Sequence, residues 1–445
     1  MKQVTKRPVR KFLTLAPGLA GVFSLCAVLQ PAVAAVGPDP LPLLAALCPI
    51  APTDTAALRD VFAGGRMLES RLDGPAGTPA RSLHRILMPD GGEWVVNRVS
   101  PGGRLRRLSL EWHAPVPGGG AGTPPRPEIA VNASGDCRVT EGRRLVYGAD
   151  GTATELEILE PDLTSVAFRE PLNPPVPEGP ATPPGAVRVA VVDTGVNYTL
   201  PLFQGRLARD AGGALLGYDF WDMDARPFDV DAARSPFFPL HHGTAVSSVI
   251  LREAPGAVIL PYRYPRPDMS RFADLIARAD AAGAVIVNMA MGSNAEADWR
   301  AFADAAKARP HMLFIVSAGN DGRDLDKAPV YPAALGLDNI LTVTSADVDG
   351  RLARGSNWGA TRVDVMVPGE HVPVIDHRGA AGKASGSSFA VPRVTALAAR
   401  FLARHPDWRG PDLKAAIVKR ARKPFGGGPA LRHGWIPDPT DDFEG

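Results

Sequence analysis

Val187-Arg188-Val189-Ala190-Val191-Val192-Asp193-Thr194-Gly195 is an apolar, β-branched run that ends in an acid, a hydroxyl and a glycine. Nearly continuous apolar character, rather than alternation, is what a strand buried on both faces shows, and such strands belong to parallel sheets covered by helices. An acid at the carboxyl tip of such a strand stands where open α/β sheets gather their ligands and chemistry. Alone, it serves equally well as a metal ligand, a helix cap or an orienting carboxylate.

The same grammar continues downstream. Residues 258–264, 285–290, 313–318 and 340–344 are short apolar runs, and helical patterns occupy 270–282, 295–308, 389–403 and 411–422. Strand–helix alternation predicts an α/β domain over residues 186–425, with a mostly parallel sheet and helices on both faces, and a polar C-terminal tail over 426–445.

Upstream the pattern changes. Residues 171–185 (PLNPPVPEGPATPPG) hold seven prolines in fifteen positions, which reads as an extended, accessible spacer between domains. Before it, residues 35–170 carry short β-rich runs at 85–88, 93–99, 105–112, 128–131, 144–147 and 154–159, separated by Gly-rich turns. They predict a smaller antiparallel β meander with a helical start at 54–72. Residues 1–34 combine a basic start, an apolar run and Ala32-Val33-Ala34, the pattern of a cleavable secretory signal, so the protein is expected to be secreted or periplasmic with no membrane span once processed. Losing that leader removes five basic residues and no acid, taking the formal charge from +2 to about −3. No basic stripe is left to argue for nucleic acid. Cys48 and Cys137 are then the remaining cysteines, a pair that can form one bridge in an oxidising compartment.

Three further motifs follow Asp193. His241-His242-Gly243-Thr244 opens an apolar helix, with either histidine available for chemistry. Ser317-Ala318-Gly319-Asn320 ends a strand at an amide that could cap a turn or face a developing oxyanion. Gly386-Ser387-Ser388-Phe389-Ala390-Val391-Pro392 begins an amphipathic helix, with Pro392 expected in its first turn. Ser388 there reads as an N-cap or as a nucleophile set against the positive end of a helix.

Taken together, VVDTG, HGT, SAGN and GSSFAVP resemble the motifs of the subtilisin-like (S8) serine peptidases, in the order Asp, His, Asn, Ser. Tyr331-Pro332-Ala333 and the run from Val363 to Gly369 add to the likeness, which spans about 187–422. The resemblance implies a doubly wound sheet and a peptidase acting on polypeptides. It makes Asp193, His242 and Ser388 the triad, chooses His242 over His241, and puts Asn320 in the oxyanion hole. It further implies a substrate-pairing strand through Ala290, Met291 and Gly292, with Ser317, Ala318 and Gly319 as the other wall of the primary pocket. Ser387, Phe389, Arg393, Ala245 and Ala290 depart from the family's usual residues without removing a catalytic group. Many relatives carry a propeptide, and residues 35–185 stand where an intramolecular prodomain or a permanent accessory domain would be.

Two other readings compete. An α/β-hydrolase using Ser388, Asp407 and His433 fails because Ala390 replaces the second glycine of the elbow. A catalytically silent relative acting as a binding module keeps the fold and loses the chemistry. No cofactor is expected; Asp219, Asp222, Asp224, Asp229 and Asp231 form an acidic loop for which calcium is the one fitting cation, although solvated acids are the ordinary reading.

Overall fold

The computed structural model describes residues 38–441, apart from 52, 76, 121 and 425–430, so the expected leader lies outside the described residues. Alternating runs in the N-terminal third pair strictly with their neighbours in the chain. After helices α1 (Pro40–Leu47) and α2 (Thr55–Val61) come β1 (Arg66–Asp73), β2 (Arg81–Leu87), β3 (Glu93–Val99), β4 (Arg107–Ala114), β5 (Arg126–Ser134), β6 (Val139–Tyr147), β7 (Ala153–Leu159) and β8 (Val166–Pro171). They form one antiparallel sheet in the order β1 to β8. The helical start expected over 54–72 stops at Val61: Gly64-Gly65 turns the chain, and the following residues are β1.

One face of this sheet packs on α1 and α2 through Leu44, Leu47, Leu58 and Phe62 against Trp94, Leu108 and Trp112. A disulfide joins Cys48, just after α1, to Cys137 in the β5–β6 turn, with Cα atoms 6.0 Å apart. The other face carries Ala130, Leu145 and Leu156, which surround Phe237 from the following domain.

The proline-rich stretch is not a loose spacer. Pro171 ends β8, and the carbonyls beyond it are gripped by the second domain: Pro174 O accepts from Tyr198 OH at 2.5 Å and Pro177 O from Arg209 Nη2 at 2.6 Å. Arg209 is itself buried, and its backbone N–H donates to Thr182 Oγ1. Proline lacks an N–H but keeps its carbonyl, so side-chain donors can fasten a segment that no ladder could hold.

The second domain is built on β9 (Val187–Asp193), β10 (Tyr218–Asp219), β11 (Ala257–Arg263), β12 (Ile286–Met289), β13 (Leu313–Ser317), β14 (Ile340–Ala346) and β15 (Val365–Pro368), with a hairpin of β16 (Val372–Ile375) and β17 (Ala381–Ala384). A last strand, β18 (Gly434–Trp435), lies parallel to β15 with Trp435 and Ile436 buried, so the stretch expected as a tail supplies a sheet edge. The order is β10-β11-β9-β12-β13-β14-β15-β18, and every pairing is parallel. Val189 and Val191 face a core with α3 (Gly243–Glu253), α6 (Ser387–Arg404) and α7 (Gly410–Lys419); Ala190 and Val192 face one with α4 (Phe272–Ala281) and α5 (Arg300–Lys307). That two-sided burial is why the opening run lacks alternation. The sheet is doubly wound, with a smaller β-rich domain before it. The chain crosses from β9 to β11 on one side and then to β12 on the other, which makes the carboxyl ends of β9 and β12 the topological switch point.

Candidate active site

Asp193 is the last residue of β9 and is 3% exposed. Its carboxylate meets His242 Nδ1 with Oδ1 at 2.8 Å and Oδ2 at 3.0 Å. A carboxylate can only accept, so the imidazole carries its proton on Nδ1 and presents a lone pair on Nε2. Burial alone would lower the pKa of His242; the charge and hydrogen bond of Asp193, with Asp229 behind, hold it above the ordinary value of 6.5.

His242 stands at the N-cap of α3, whose first turn has no intrahelical partners for its N–H groups. Thr194 and Asp229 supply them. The Thr194 hydroxyl accepts from the backbone N–H groups of His242 at 3.0 Å and Gly243 at 2.9 Å, and donates to Asp229 Oδ1. Asp229 Oδ2 accepts from Thr244 N at 2.9 Å. A Cβ on Gly243 would lie 2.0 Å from Gly195 O, so glycine is required where the helix start meets the strand end. Asp229 was expected as one acid of a solvated or calcium-binding loop; instead it is 1% exposed and fixes the start of α3. The other aspartates of that loop are also engaged by protein donors. Asp219 and Asp222 bind Arg263, Asp224 binds Asn173, and Asp231 accepts from Tyr264 OH.

Ser388 is the second residue of α6. Gly386 precedes the helix at φ 118°, a conformation that L side chains rarely adopt, and so aims the helix start at Asn320. Ser387 locks the amide: its N–H and its hydroxyl both donate to Asn320 Oδ1 at 2.9 Å. The Asn320 oxygen is therefore identified by its donors, leaving the Nδ2 donor for the cavity. The Ser387 hydroxyl also meets Ser317 Oγ at 2.7 Å. This serine pair holds Asn320 in place, a role the sequence does not show: Ser387 reads there as a departure from the usual residue and Ser317 as a pocket wall. Pro392 is the sixth residue of the helix, not part of its first turn, and it removes the N–H that would bond to Ser388 O.

Asn320 and Ser388 line one cavity of about 270 Å³ with Ala290, Met291, Gly292, Ser317 and Gly319. Ala318, expected on the same wall, is fully buried and gives its carbonyl to Asn357 Nδ2. Ser293 pairs with Tyr331 as an antiparallel bridge, which anchors one edge of the 290–292 segment. The Ser388 hydroxyl donates to Ala290 O at 3.3 Å and makes no hydrogen bond to His242 among the described residues. Phe389 lies beside His242, with ring centroids 5.7 Å apart, and Arg393 pairs with Glu253, tying α6 to α3.

Residues 185–435 match the profile of the Subtilase family, Peptidase S8. The chain is 29% identical to a thermophilic serine proteinase of Bacillus sp. (strain AK1), over 56% of this chain and 59% of that protein. It is 28% identical to alkaline serine exoprotease A of Vibrio alginolyticus, over 53% of this chain and 42% of that protein. A solved cold adapted subtilisin-like serine proteinase matches at 25% identity and a TM-score of 0.47, covering 57% of this chain and 90% of that one. The chain spans about half the length of the curated relatives it matches. Since the family profile covers more than half of its residues, the chain belongs to the subtilase family.

Proposed function

We propose that the protein is a secreted serine endopeptidase that cleaves polypeptides through Asp193, His242 and Ser388. The observation that carries this reading is the Asp193 carboxylate on His242 Nδ1, which leaves Nε2 as the one basic nitrogen of the ring. Ser388 rotates from the Ala290 carbonyl toward that nitrogen and gives up its proton as Oγ attacks the scissile carbonyl. The Oγ–C bond forms, the C–N bond breaks, and the His242 proton passes to the leaving amine. Water then hydrolyses the acyl-enzyme by the same route, returning the proton to Ser388. Asn320 Nδ2 and the Ser388 N–H, free of an intrahelical partner at the start of α6, hold the oxyanion. Each such donor contributes about 3–4 kcal/mol to the barrier reduction. An extended substrate lies along residues 290–292 and exchanges backbone hydrogen bonds as an added strand.

The Ser388–Ala290 contact favours a second reading, a silent binding module in which Ser388 is only structural. Incubating the full chain with an unfolded protein separates the two. Internal fragments from the native enzyme and none from Ser388→Ala support the peptidase; equal absence from both folded proteins supports the silent module.

A further inference from the structure

Burial and charge meet at one point of the junction between the two domains. Glu170, on β8 of the first domain, has a side chain only 6% exposed. Its Oε2 accepts from Arg378 Nη2 at 3.0 Å, and its Oε1 faces His241 Nε2 at 2.9 Å and His377 Nε2 at 3.2 Å. All three partners belong to the second domain: His241 directly precedes His242, and His377 and Arg378 lie in the β16–β17 turn. His241 Nδ1 donates to the Asp229 carbonyl, since a carbonyl only accepts. With Nδ1 so committed, a neutral His241 turns the lone pair of Nε2 toward the buried carboxylate. A second proton, on Nε2, converts that clash of acceptors into an ion pair. The two rings stack with centroids 3.5 Å apart and planes 11° from parallel, so a second cation there would meet a like charge at close range. Burial alone would lower the pKa of His241; the Glu170 contact and the charge of Asp229 hold it above the ordinary 6.5. Burial alone would raise the Glu170 carboxyl; His241, His377 and Arg378 hold it far below the usual carboxylate range.

We propose that Glu170, His241, His377 and Arg378 form a proton-operated latch. It holds β8 on the peptidase domain while His241 is an imidazolium and loosens it when the ring becomes neutral. Neither contact at Oε1 is aligned as a hydrogen bond among the described residues, so charge is what binds there, and charge is what a pH change removes. Below pH 6.5 the ring is protonated whether β8 is docked or free, and the latch contributes in full. As pH rises the free ring loses its proton first, and the contribution fades until the docked ring is neutral too. The charged groups facing His241 are Glu170 from β8, His377 and Arg378 from the hairpin turn, and Asp229 from the loop before α3. His242 follows in the chain but pairs with Asp193, so a change at Glu170 separates the two titrations. Elsewhere the junction rests on groups that keep their charge over this range: Phe237 is buried against the first sheet, and its carbonyl accepts from Arg143 Nη1 at 3.0 Å. The loosening is therefore local to β8.

The test is amide hydrogen exchange of the full chain from about pH 6 to about pH 9. It is run in the Ser388→Ala background so that self-digestion cannot intervene. Opening constants for the β8 amides, corrected for the intrinsic exchange rate at each pH, should rise at least about 10-fold, the factor carried by one charged contact. Strands β13 and β14 should not change. Glu170→Gln and His241→Gln, each with native circular dichroism, should open β8 already at the acid end and flatten the dependence. In the parent chain, β8 opening that does not vary with pH would overturn the proposal without any variant at the latch. A rise shared equally by β13 and β14, which is general alkaline unfolding, would overturn it too, as would a rise that persists unchanged in both variants.

Discussion

Asp193, His242, Asn320 and Ser388 are spread over nearly two hundred positions, and the role proposed for each is separately measurable. With His242 held above its ordinary pKa by Asp193, kcat/KM should be full where the ring is neutral. It should fall as pH drops through a midpoint above 6.5. Asp193→Asn removes the carboxylate that sets the tautomer, and kcat is expected to drop by about 10⁴-fold with little change in KM. Steady-state kinetics against pH checks both. Asn320→Ala should cost about 10²–10³ in kcat, the loss typical of one oxyanion donor. At this scale the four motifs were legible because each pairs a reactive side chain with a glycine or a helix start. Ser387 and Asp229 were not, because their roles come from bonds across 67 and 15 residues that no local pattern encodes.

Elements show why Asp193 and His242 hold still. The start of α3 rests on Asp229 and Thr194 rather than on its own sequence, so Asp229→Ala would strand buried N–H donors. A loss of about 2–4 kcal/mol is expected, read by urea denaturation. In the first domain, the Cys48–Cys137 bridge closes a span of 89 residues. Replacing both cysteines by serine should destabilise that domain by about 2–5 kcal/mol, seen as a lower Tm. Sequence periodicity located most strands of both sheets, since two-sided burial and one-sided alternation leave distinct patterns. It misplaced the end of α2 and the position of Pro392 in α6. Those boundaries depend on where a turn or a cap forms in three dimensions, and propensity does not specify that.

For the whole molecule, the relation between the two domains was the least legible feature. Composition suggested an accessible spacer at 171–185, yet buried Arg209 and Tyr198 fasten its carbonyls, and Phe237 is buried against the first sheet. Such long-range side-chain donors leave no trace in a proline count. Phe237→Ala should loosen this junction by about 3 kcal/mol or more, with faster hydrogen exchange in β7 and β8. The central claim, that distant residues form one nucleophilic centre, is tested most directly by intact-mass analysis of the full chain after exposure to a fluorophosphonate. The account predicts a single adduct on Ser388, absent from Ser388→Ala and strongly slowed in His242→Ala. A natively folded chain that gains no adduct, or gains it on another serine, would contradict it.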